Sequence, residues 1–297
     1  MYVVTGATGN TGTRVAEDLL AAGKQVRAVG RSAERLRFLE QQGAETFVGS
    51  LEDVTAMARA FDGAEAAYVM IPPLYTRDDF RAYQNRIGQS LADALSRAKV
   101  PYAVSLSSVG AHLSEGVGPI KGLHDFEQYL NQVTGLNVRH VRPAFFMENF
   151  LLFIDVIKQM GIATSPLRED LVIPMIAVKD VAAYATERLL TLDFSGQSVQ
   201  ELHGERDLGI EEAVQILGLA IGQPRLPYAQ CEYDDYAKGL RDAGFSVDSA
   251  ATLIEMYHAF NDGILKPLEP RSSSNTTPTR FELFAQVFAA VYNQEGG

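Results

Sequence analysis

The chain contains 297 residues, of which 46% are hydrophobic and 21% charged, and its formal net charge at pH 7 is −11. This length fits one large α/β domain with a smaller C-terminal lobe, and the composition excludes a disordered chain. The acidic balance disfavours direct binding to nucleic acid, which needs a positive surface.

Targeting and metal signals are also missing from the sequence. No stretch reaches the roughly 18 apolar residues of a membrane span, and a glycine turn occupies the place where a signal peptide needs an apolar segment. The single cysteine, Cys231, excludes an internal disulfide and fits a reducing compartment. We therefore expect a cytoplasmic protein with no membrane association and no metal site.

The N-terminal stretch carries the strongest pattern. Residues 2–4 are predicted to form a buried strand, Gly6, Gly9 and Gly12 follow at three-residue spacing, and an amphipathic helix then runs to Gly23. A helix start has unpaired N–H groups and a positive dipole end, so this order is typical of a dinucleotide site. We expect the three glycines to permit a tight turn, a close diphosphate and close helix packing, respectively. A glycine turn without a ligand is the alternative.

Three polar residues of the same turn, Thr8, Asn10 and Thr11, are also predicted to contact the cofactor. The second strand, residues 25–31, ends in Arg31 where NAD-selective enzymes usually have a carboxylate. A guanidinium pairs with a 2′-phosphate, which favours NADP(H) over NAD(H). The alternative is that Arg31 is a solvated surface residue.

A helix over residues 33–42 and a third strand over residues 44–48 follow. The loop after this strand contains Ser50 and Leu51, and the corresponding loop flanks the adenine in related folds. We predict that both residues contact the cofactor, with an ordinary surface loop as the alternative.

The fourth strand, residues 66–71, runs into Pro72 and Pro73. Proline cannot continue a central strand, so the chain must leave the sheet at this point. In an open α/β sheet, ligands bind at that carboxyl edge. We therefore expect Met70, Ile71 and Pro72 beside the diphosphate and ribose.

After a long helix over residues 79–98, a fifth strand over residues 102–106 ends in Ser107. A hydroxyl at this strand end is placed to meet a nicotinamide or a substrate carbonyl. Capping of the next backbone turn is an equally supported role. A helix is predicted over residues 122–133.

The sixth strand, residues 138–141, leads into an apolar and aromatic segment. We assign Pro143 to the cofactor site and Phe145, Phe146 and Asn149 to a substrate pocket over the nicotinamide. Aromatic rings that simply close the core are the alternative.

Beyond residue 150 the alternation of strands and helices becomes irregular. Helices are predicted over residues 151–160, 179–192, 210–222, 246–264 and 278–292, and extended segments over 171–175, 198–203 and 228–233.

Several stretches together are similar to the NmrA-like family, an atypical branch of the short-chain dehydrogenase/reductase superfamily. They are residues 6–12, the strand ending at Arg31, residues 49–53, 122–127, 142–149, Ile173-Pro174 and 178–181. The resemblance implies a Rossmann-like, doubly wound parallel sheet over residues 1–150. It also implies a smaller, mostly helical lobe over residues 151–297, interleaved with the first rather than independent.

One departure from the superfamily concerns catalysis. Active members usually carry Tyr-x-x-x-Lys after the fifth strand, and no tyrosine of this chain has a lysine four residues on. The matching region offers Lys121, His124 and Glu127 instead. We predict that Lys121 reaches the ribose and that His124 acts with Ser107 on the developing oxyanion. An exposed helix face with a contact between His124 and Glu127 is the alternative.

The leading hypothesis is an oxidoreductase that passes hydride from NADPH to a quinone or another conjugated carbonyl compound. The rival is a non-catalytic NADP(H) sensor that docks a regulatory protein, with the aromatic residues between Phe145 and Phe153 as the docking surface. The missing Tyr-x-x-x-Lys favours the sensor. An epimerase or dehydratase is the weakest hypothesis because these enzymes normally use the same tyrosine.

Overall fold

A computed structural model of the chain describes residues 1–294. Its strands are β1 (Tyr2–Val4), β2 (Val26–Gly30), β3 (Glu45–Val48), β4 (Ala66–Val69), β5 (Tyr102–Leu106), β6 (Asn137–Pro143), β7 (Phe145–Phe146), β8 (Ala163–Ser165), β9 (Val172–Ile176), β10 (Gln197–Leu202), β11 (Asp207–Gly209) and β12 (Tyr228–Gln230). Among these residues, no helix combines the length and the apolar character needed to cross a lipid bilayer.

The helices are α1 (Asn10–Ala21), α2 (Ala33–Gln41), α3 (Val54–Phe61), α4 (Phe80–Ala98), α5 (Ile120–Asn131), α6 (Ile154–Met160), α7 (Val178–Thr191), α8 (Ile210–Ala220), α9 (Tyr233–Asp242), α10 (Val247–Asn261) and α11 (Phe281–Gln294). A 3-10 helix, Met147–Phe153, precedes α6.

Within residues 1–294, the central sheet has seven parallel strands in the order β3-β2-β1-β4-β5-β6-β10. The order runs outward in both directions from β1, so it reverses between β1 and β4, where open α/β sheets form a ligand crevice. β1 and β4 are buried along their whole length, as strands covered on both faces must be. The predicted Rossmann-like, doubly wound architecture is confirmed.

Helices cover both faces of this sheet. On one face α1, α2 and α7 bury apolar side chains such as Leu19 and Leu189, and on the other face α3, α4 and α5 bury Phe61, Leu91 and Phe126. Removing each such side chain from water contributes about 1.5–3 kcal/mol. These two layers fix the carboxyl ends of the strands relative to one another.

The smaller lobe has its own core. A three-stranded sheet (β7, β9, β11) and a two-stranded sheet (β8, β12) pack with α8, α11 and the 3-10 helix around Phe150, Phe281 and Phe288. α7 and β10 return to the central sheet, and β10 pairs with β6 over its full length. The chain therefore passes more than once between the layer around the central sheet and the smaller lobe. A domain boundary at residue 150 stays a prediction.

The irregular second half differs from the sequence prediction in detail. The segment predicted as extended over residues 228–233 is a strand only to Gln230, and α9 begins at Tyr233. Apolar residues of α9 recur at helical spacing as Tyr233, Tyr236, Ala237 and Leu240, so the sequence held a usable signal for this helix that the prediction did not include. The short strands β7, β8 and β11 were missed because two or three residues carry no alternation pattern.

The aromatic segment after β6 faces inward. Phe150 is 1% exposed and Phe153 is 8% exposed, and both belong to the core of the smaller lobe. Phe145 packs edge-on against Phe150 with a centroid distance of 5.9 Å. The prediction that these rings form a protein-docking surface is wrong, because they close the lobe instead.

A buried histidine network joins β5, β6 and α5. Ser105 Oγ lies 2.7 Å from His140 Nδ1, and His140 Nε2 lies 2.9 Å from Asn131 Oδ1. An amide oxygen only accepts, so Nε2 carries the proton and Ser105 donates to Nδ1. Burial lowers the pKa of His140 from 6.5 to about 4. The imidazole is therefore neutral in the folded protein.

This network predicts a loss of stability in acid. The unfolded chain binds a proton at His140 below pH 6.5, whereas the folded protein resists protonation until about pH 4. The contribution of neutral His140 to the free energy of unfolding is complete above pH 6.5. It falls by about 3 kcal/mol in total as the pH decreases from 6.5 to about 4. Urea unfolding on both sides of the window should show this loss in the wild type and not in His140→Gln, which does not titrate. Equal losses in the two proteins would contradict the prediction.

Candidate functional site

The turn between β1 and α1 requires glycine at two positions. Gly6 has a φ of +62°, which L side chains rarely adopt, and a Cβ there would lie 2.6 Å from Sδ of Met70. A Cβ at Gly12 would lie 2.3 Å from the carbonyl oxygen of Gly6. Helix α1 can therefore begin directly against the turn only because both side chains are absent.

The N-terminus of α1 has the chemistry of an anion site. Gly9 is the N-cap residue, and no side chain of residues 1–294 caps this helix. The N–H groups of the first turn therefore lack intrahelical partners and stay available to a diphosphate. Tyr68 in β4 donates a 2.9 Å hydrogen bond to Thr11 Oγ1, which ties the helix start to the sheet.

A cleft of about 1050 Å³ follows the carboxyl ends of the strands. It brings together most of the site residues predicted from the sequence. They are Gly6, Thr8, Gly9, Asn10, Thr11, Arg31, Ser50, Leu51, Met70, Ile71, Pro72, Ser107, Pro143, Phe145, Phe146 and Asn149. Gly12 is buried and does not line the cleft.

Two arginines follow β2 at one end of the cleft. Arg31 is exposed and forms no ion pair within residues 1–294. Arg35, one turn into α2, also lines the cleft and donates a 3.0 Å hydrogen bond to the carbonyl oxygen of Thr8. Arg35 was not predicted as a site residue, although its position four residues after Arg31 was a usable signal. Two guanidinium groups near one position form an attractive site for a phosphate.

Two acidic side chains that line the cleft, Glu148 and Glu52, contact other groups of the protein. Glu148 accepts the backbone N–H of Val178 at 3.0 and 3.1 Å at the start of α7, and burial raises the pKa of Glu148. Glu52 lies 3.3 Å from Arg86 and 3.8 Å from Arg77. In the part of the chain that the structure describes, no group of three or more His, Cys, Asp or Glu residues could hold a metal ion.

Ser107, at the end of β5, belongs to a buried charged network. Its Oγ donates to Glu127 Oε1 at 2.5 Å, and Glu127 is clamped by Arg142 through Nε at 2.9 Å and a terminal nitrogen at 2.5 Å. Glu127 is 2% exposed. With its proton held by a carboxylate, Ser107 presents lone pairs to the cleft. This geometry favours a hydrogen-bond acceptor and not the donor expected from the sequence.

The structure does not bring Lys121 and His124 to the cleft. Lys121 Nζ donates to Glu255 in α10 at 2.7 Å, and His124 Nδ1 lies 2.9 Å from the carbonyl oxygen of Ala111. Neither side chain lines the cavity. The alternative contact between His124 and Glu127 is wrong, because Glu127 turns inward to Ser107 and Arg142.

The other end of the cleft is aromatic. Phe145 meets Phe260 of α10 edge to face at 5.7 Å, and Tyr75, in the loop before α4, stacks on Phe245 at 4.9 Å. α9 and α10 add Tyr236, Leu240, Leu253, Met256 and Tyr257 to this lining. The helix predicted over residues 246–264 corresponds to α10, whereas α9 was not predicted. Neither helix was assigned to the cleft, because no motif marks side chains that reach a cleft from the second half of the chain.

One lip of the cleft, the segment over residues 265–271, is held in place by hydrogen bonds to a buried carboxylate and by an ion pair. Glu201, buried at the end of β10, accepts backbone N–H bonds from Leu268 and Glu269 at 3.0 Å. The arginine that ends the segment pairs with Asp207. The lip is therefore held by charge-assisted hydrogen bonds rather than by surface contacts alone.

Comparison with known proteins adds to this geometry. The model of the NmrA-like family matches residues 2–283. An NAD(P)H azoreductase of Xenophilus azovorans is 26% identical over 294 residues, which is 98% of this chain and 99% of that protein. A (4-alkanoyl-5-oxo-2,5-dihydrofuran-3-yl)methyl phosphate reductase of Streptomyces griseus is 28% identical over 224 residues, 75% of each chain.

Solved structures share the fold. The NADPH-dependent quinone oxidoreductase QOR2 of Escherichia coli, complexed with NADPH, has a TM-score of 0.78 at 20% identity, with 100% of both chains covered. The triphenylmethane reductase of Citrobacter sp., complexed with NADP(H), has a TM-score of 0.80 at 18% identity, covering 97% of this chain and 100% of that one.

The Ser107 network predicts a strong dependence on Glu127. In Glu127→Ala the guanidinium of Arg142 stays buried without a counter-ion, and the free energy of unfolding should fall by about 3–5 kcal/mol. Asp125→Ala is a matched control on the same helix, since it removes a partly exposed pair with Arg81 and should cost less than about 1 kcal/mol. Urea unfolding measures both. A loss in Glu127→Ala no larger than in the control would contradict the prediction.

Proposed function

This chain belongs to the NmrA-like family, and we propose that it is an NADPH-dependent reductase that passes hydride to a quinone or another conjugated carbonyl compound. One observation carries the proposal: a single cleft joins an uncapped helix N-terminus to an aromatic end. The names of the relatives support it, since an azoreductase and a furanone phosphate reductase resemble the chain in sequence. The sensor hypothesis rests on the missing Tyr-x-x-x-Lys alone, and no contact within residues 1–294 adds to it.

The chain's own residues would hold the cofactor as follows. The turn around Gly6 and Gly9 and the N–H groups of α1 would bind the diphosphate, and Arg31 with Arg35 would pair with the 2′-phosphate. Ser50 and other residues of the loop after β3 would line the adenosine. When bound, NADPH supplies the hydride.

Ser107 would orient the nicotinamide rather than protonate the substrate. Its hydroxyl proton is held by Glu127, so its lone pairs can accept from the amino group of the nicotinamide carboxamide. Arg142 holds the Glu127 carboxyl group in place by two hydrogen bonds. The Ser107 side chain thus serves as a fixed acceptor at the end of β5.

The aromatic end would hold the hydride acceptor. Phe145, Phe260 and Tyr75 offer flat apolar surfaces that suit a planar conjugated ring, and they exclude water from it. A small-molecule substrate is therefore the partner that we propose.

The proposal is tested by following NADPH oxidation with a panel of quinones and conjugated enones. We expect turnover with at least one acceptor, and formation of the reduced product in equal amount to the NADPH consumed. Gly9→Asp should abolish both NADPH binding and turnover, because its carboxylate would repel the diphosphate. Aspartate is a favourable N-cap, so this variant should keep its stability, and Gly9→Ser is the neutral control. Binding of NADPH without turnover on any acceptor would refute the reductase.

The two arginines should set the cofactor preference. Replacing Arg31 or Arg35 with alanine should raise the dissociation constant for NADPH by about tenfold and that for NADH by less than about twofold, since only NADPH carries the 2′-phosphate. Arg37→Ala, an exposed arginine of α2 that does not line the cleft, is the matched control. Fluorescence titration measures the constants. Equal losses for both dinucleotides would exclude a phosphate-binding role.

A further inference from the structure

Two tyrosine hydroxyls meet at the aromatic end of the cleft. Tyr236 of α9 and Tyr257 of α10 both line it, their rings pack edge to face at 5.2 Å, and their hydroxyl oxygens lie 3.1 Å apart. Together with Phe145 and Asn149 they also line a small recess beside the main cleft. The tyrosine pair therefore lies next to the residues that follow β6 in the chain, at the end of the cleft where we propose that the hydride acceptor binds.

One of the two hydroxyl protons of this pair is not used in the contact between the tyrosines. Each phenol carries a single O–H, and only one of the two can donate along the contact between Tyr236 and Tyr257. No other hydrogen bond to either hydroxyl occurs within the described residues. Both side chains are partly exposed and line the cleft, so the remaining O–H can donate to a group that binds there.

Both hydroxyls are suited to donate rather than to ionise. Burial raises the pKa of Tyr236, and burial together with the neighbouring tyrosines raises the pKa of Tyr257 well above its usual value. The pair therefore keeps its protons throughout the physiological range. A neutral donor in an apolar wall stabilises a nearby negative oxygen more strongly than water does.

Three other polar side chains at the cleft, those of Ser107, Lys266 and Arg271, are less suitable donors. The Ser107 hydroxyl already donates its hydrogen bond to Glu127, and the guanidinium of Arg271 is paired with Asp207. Lys266 lines the cleft, but its side chain is exposed to solvent.

We propose that the Tyr236–Tyr257 pair donates a hydrogen bond to the oxygen of the carbonyl acceptor that becomes negative as hydride arrives. This rests on the reductase function proposed above. The hydride forms a new C–H bond on the acceptor, the π electrons of the conjugated carbonyl move onto its oxygen, and NADPH becomes NADP⁺. A proton from solvent then neutralises that oxygen, and both tyrosines keep their own protons. The substrates that this site selects are acceptors whose reduction places charge on oxygen.

The test compares wild type with the double variant Tyr236→Phe/Tyr257→Phe on the acceptor that gives the fastest turnover. We expect kcat to fall by about 100-fold, the magnitude typical for loss of an oxyanion donor, with KM changed less than about threefold. The dissociation constant for NADPH should stay unchanged, which also shows that the variant is folded. Tyr233→Phe is the control, since Tyr233 lies on the same helix outside the cleft and accepts from Asn261.

The outcomes separate the two proposals. A double variant with kcat within about threefold of wild type overturns the tyrosine assignment and leaves the reductase standing. A wild type that binds NADPH but reduces no acceptor overturns both. A fall in kcat with little change in the KM of the acceptor and intact NADPH affinity supports the assignment, because a purely structural defect in this wall would weaken acceptor binding as well.

Discussion

The contact between Gly12 and the carbonyl oxygen of Gly6 sets the geometry of the whole nucleotide end. Only a hydrogen at Gly12 leaves room for that oxygen, so α1 begins in contact with the turn that ends β1. This approach puts the uncapped helix terminus at the point where the strand order reverses. The anion site thus arises from backbone alone, and the two layers of helices hold it in place.

The two bodies of the molecule contribute different chemistry to one cleft. The central sheet supplies backbone N–H groups, arginines and the Ser107 network, all at strand ends. The smaller lobe supplies aromatic rings from α9 and α10. Since α7 and β10 return to the sheet after the lobe has started, the lobe cannot be separated from the cleft that it helps to line.

The convergence of the glycine turn, Arg31 and the strand-end residues on one cleft could be predicted from the sequence because their signals are local. The glycine spacing, the arginine after β2 and the prolines after β4 each follow directly from a strand, and strand ends of a parallel sheet converge on one edge. Helix spacing alone was misleading at α5. It placed His124 and Glu127 together on the surface, whereas burial of Arg142 draws Glu127 inward.

The acceptor half could not be predicted in the same way. Tyr236 lies on a helix whose sequence carries no binding or catalytic motif, and Tyr75 and Tyr257 are separated by more than half of the chain. Their meeting depends on tertiary packing that no short pattern encodes.

The anchored lip over residues 265–271 bears on the kinetics of ligand capture. Its backbone is fixed by Glu201 through Leu268 and Glu269 in the folded chain. The conformational entropy of this segment is therefore lost during folding and not during encounter with a ligand. Association of a ligand with the cleft accordingly needs no ordering of this rim.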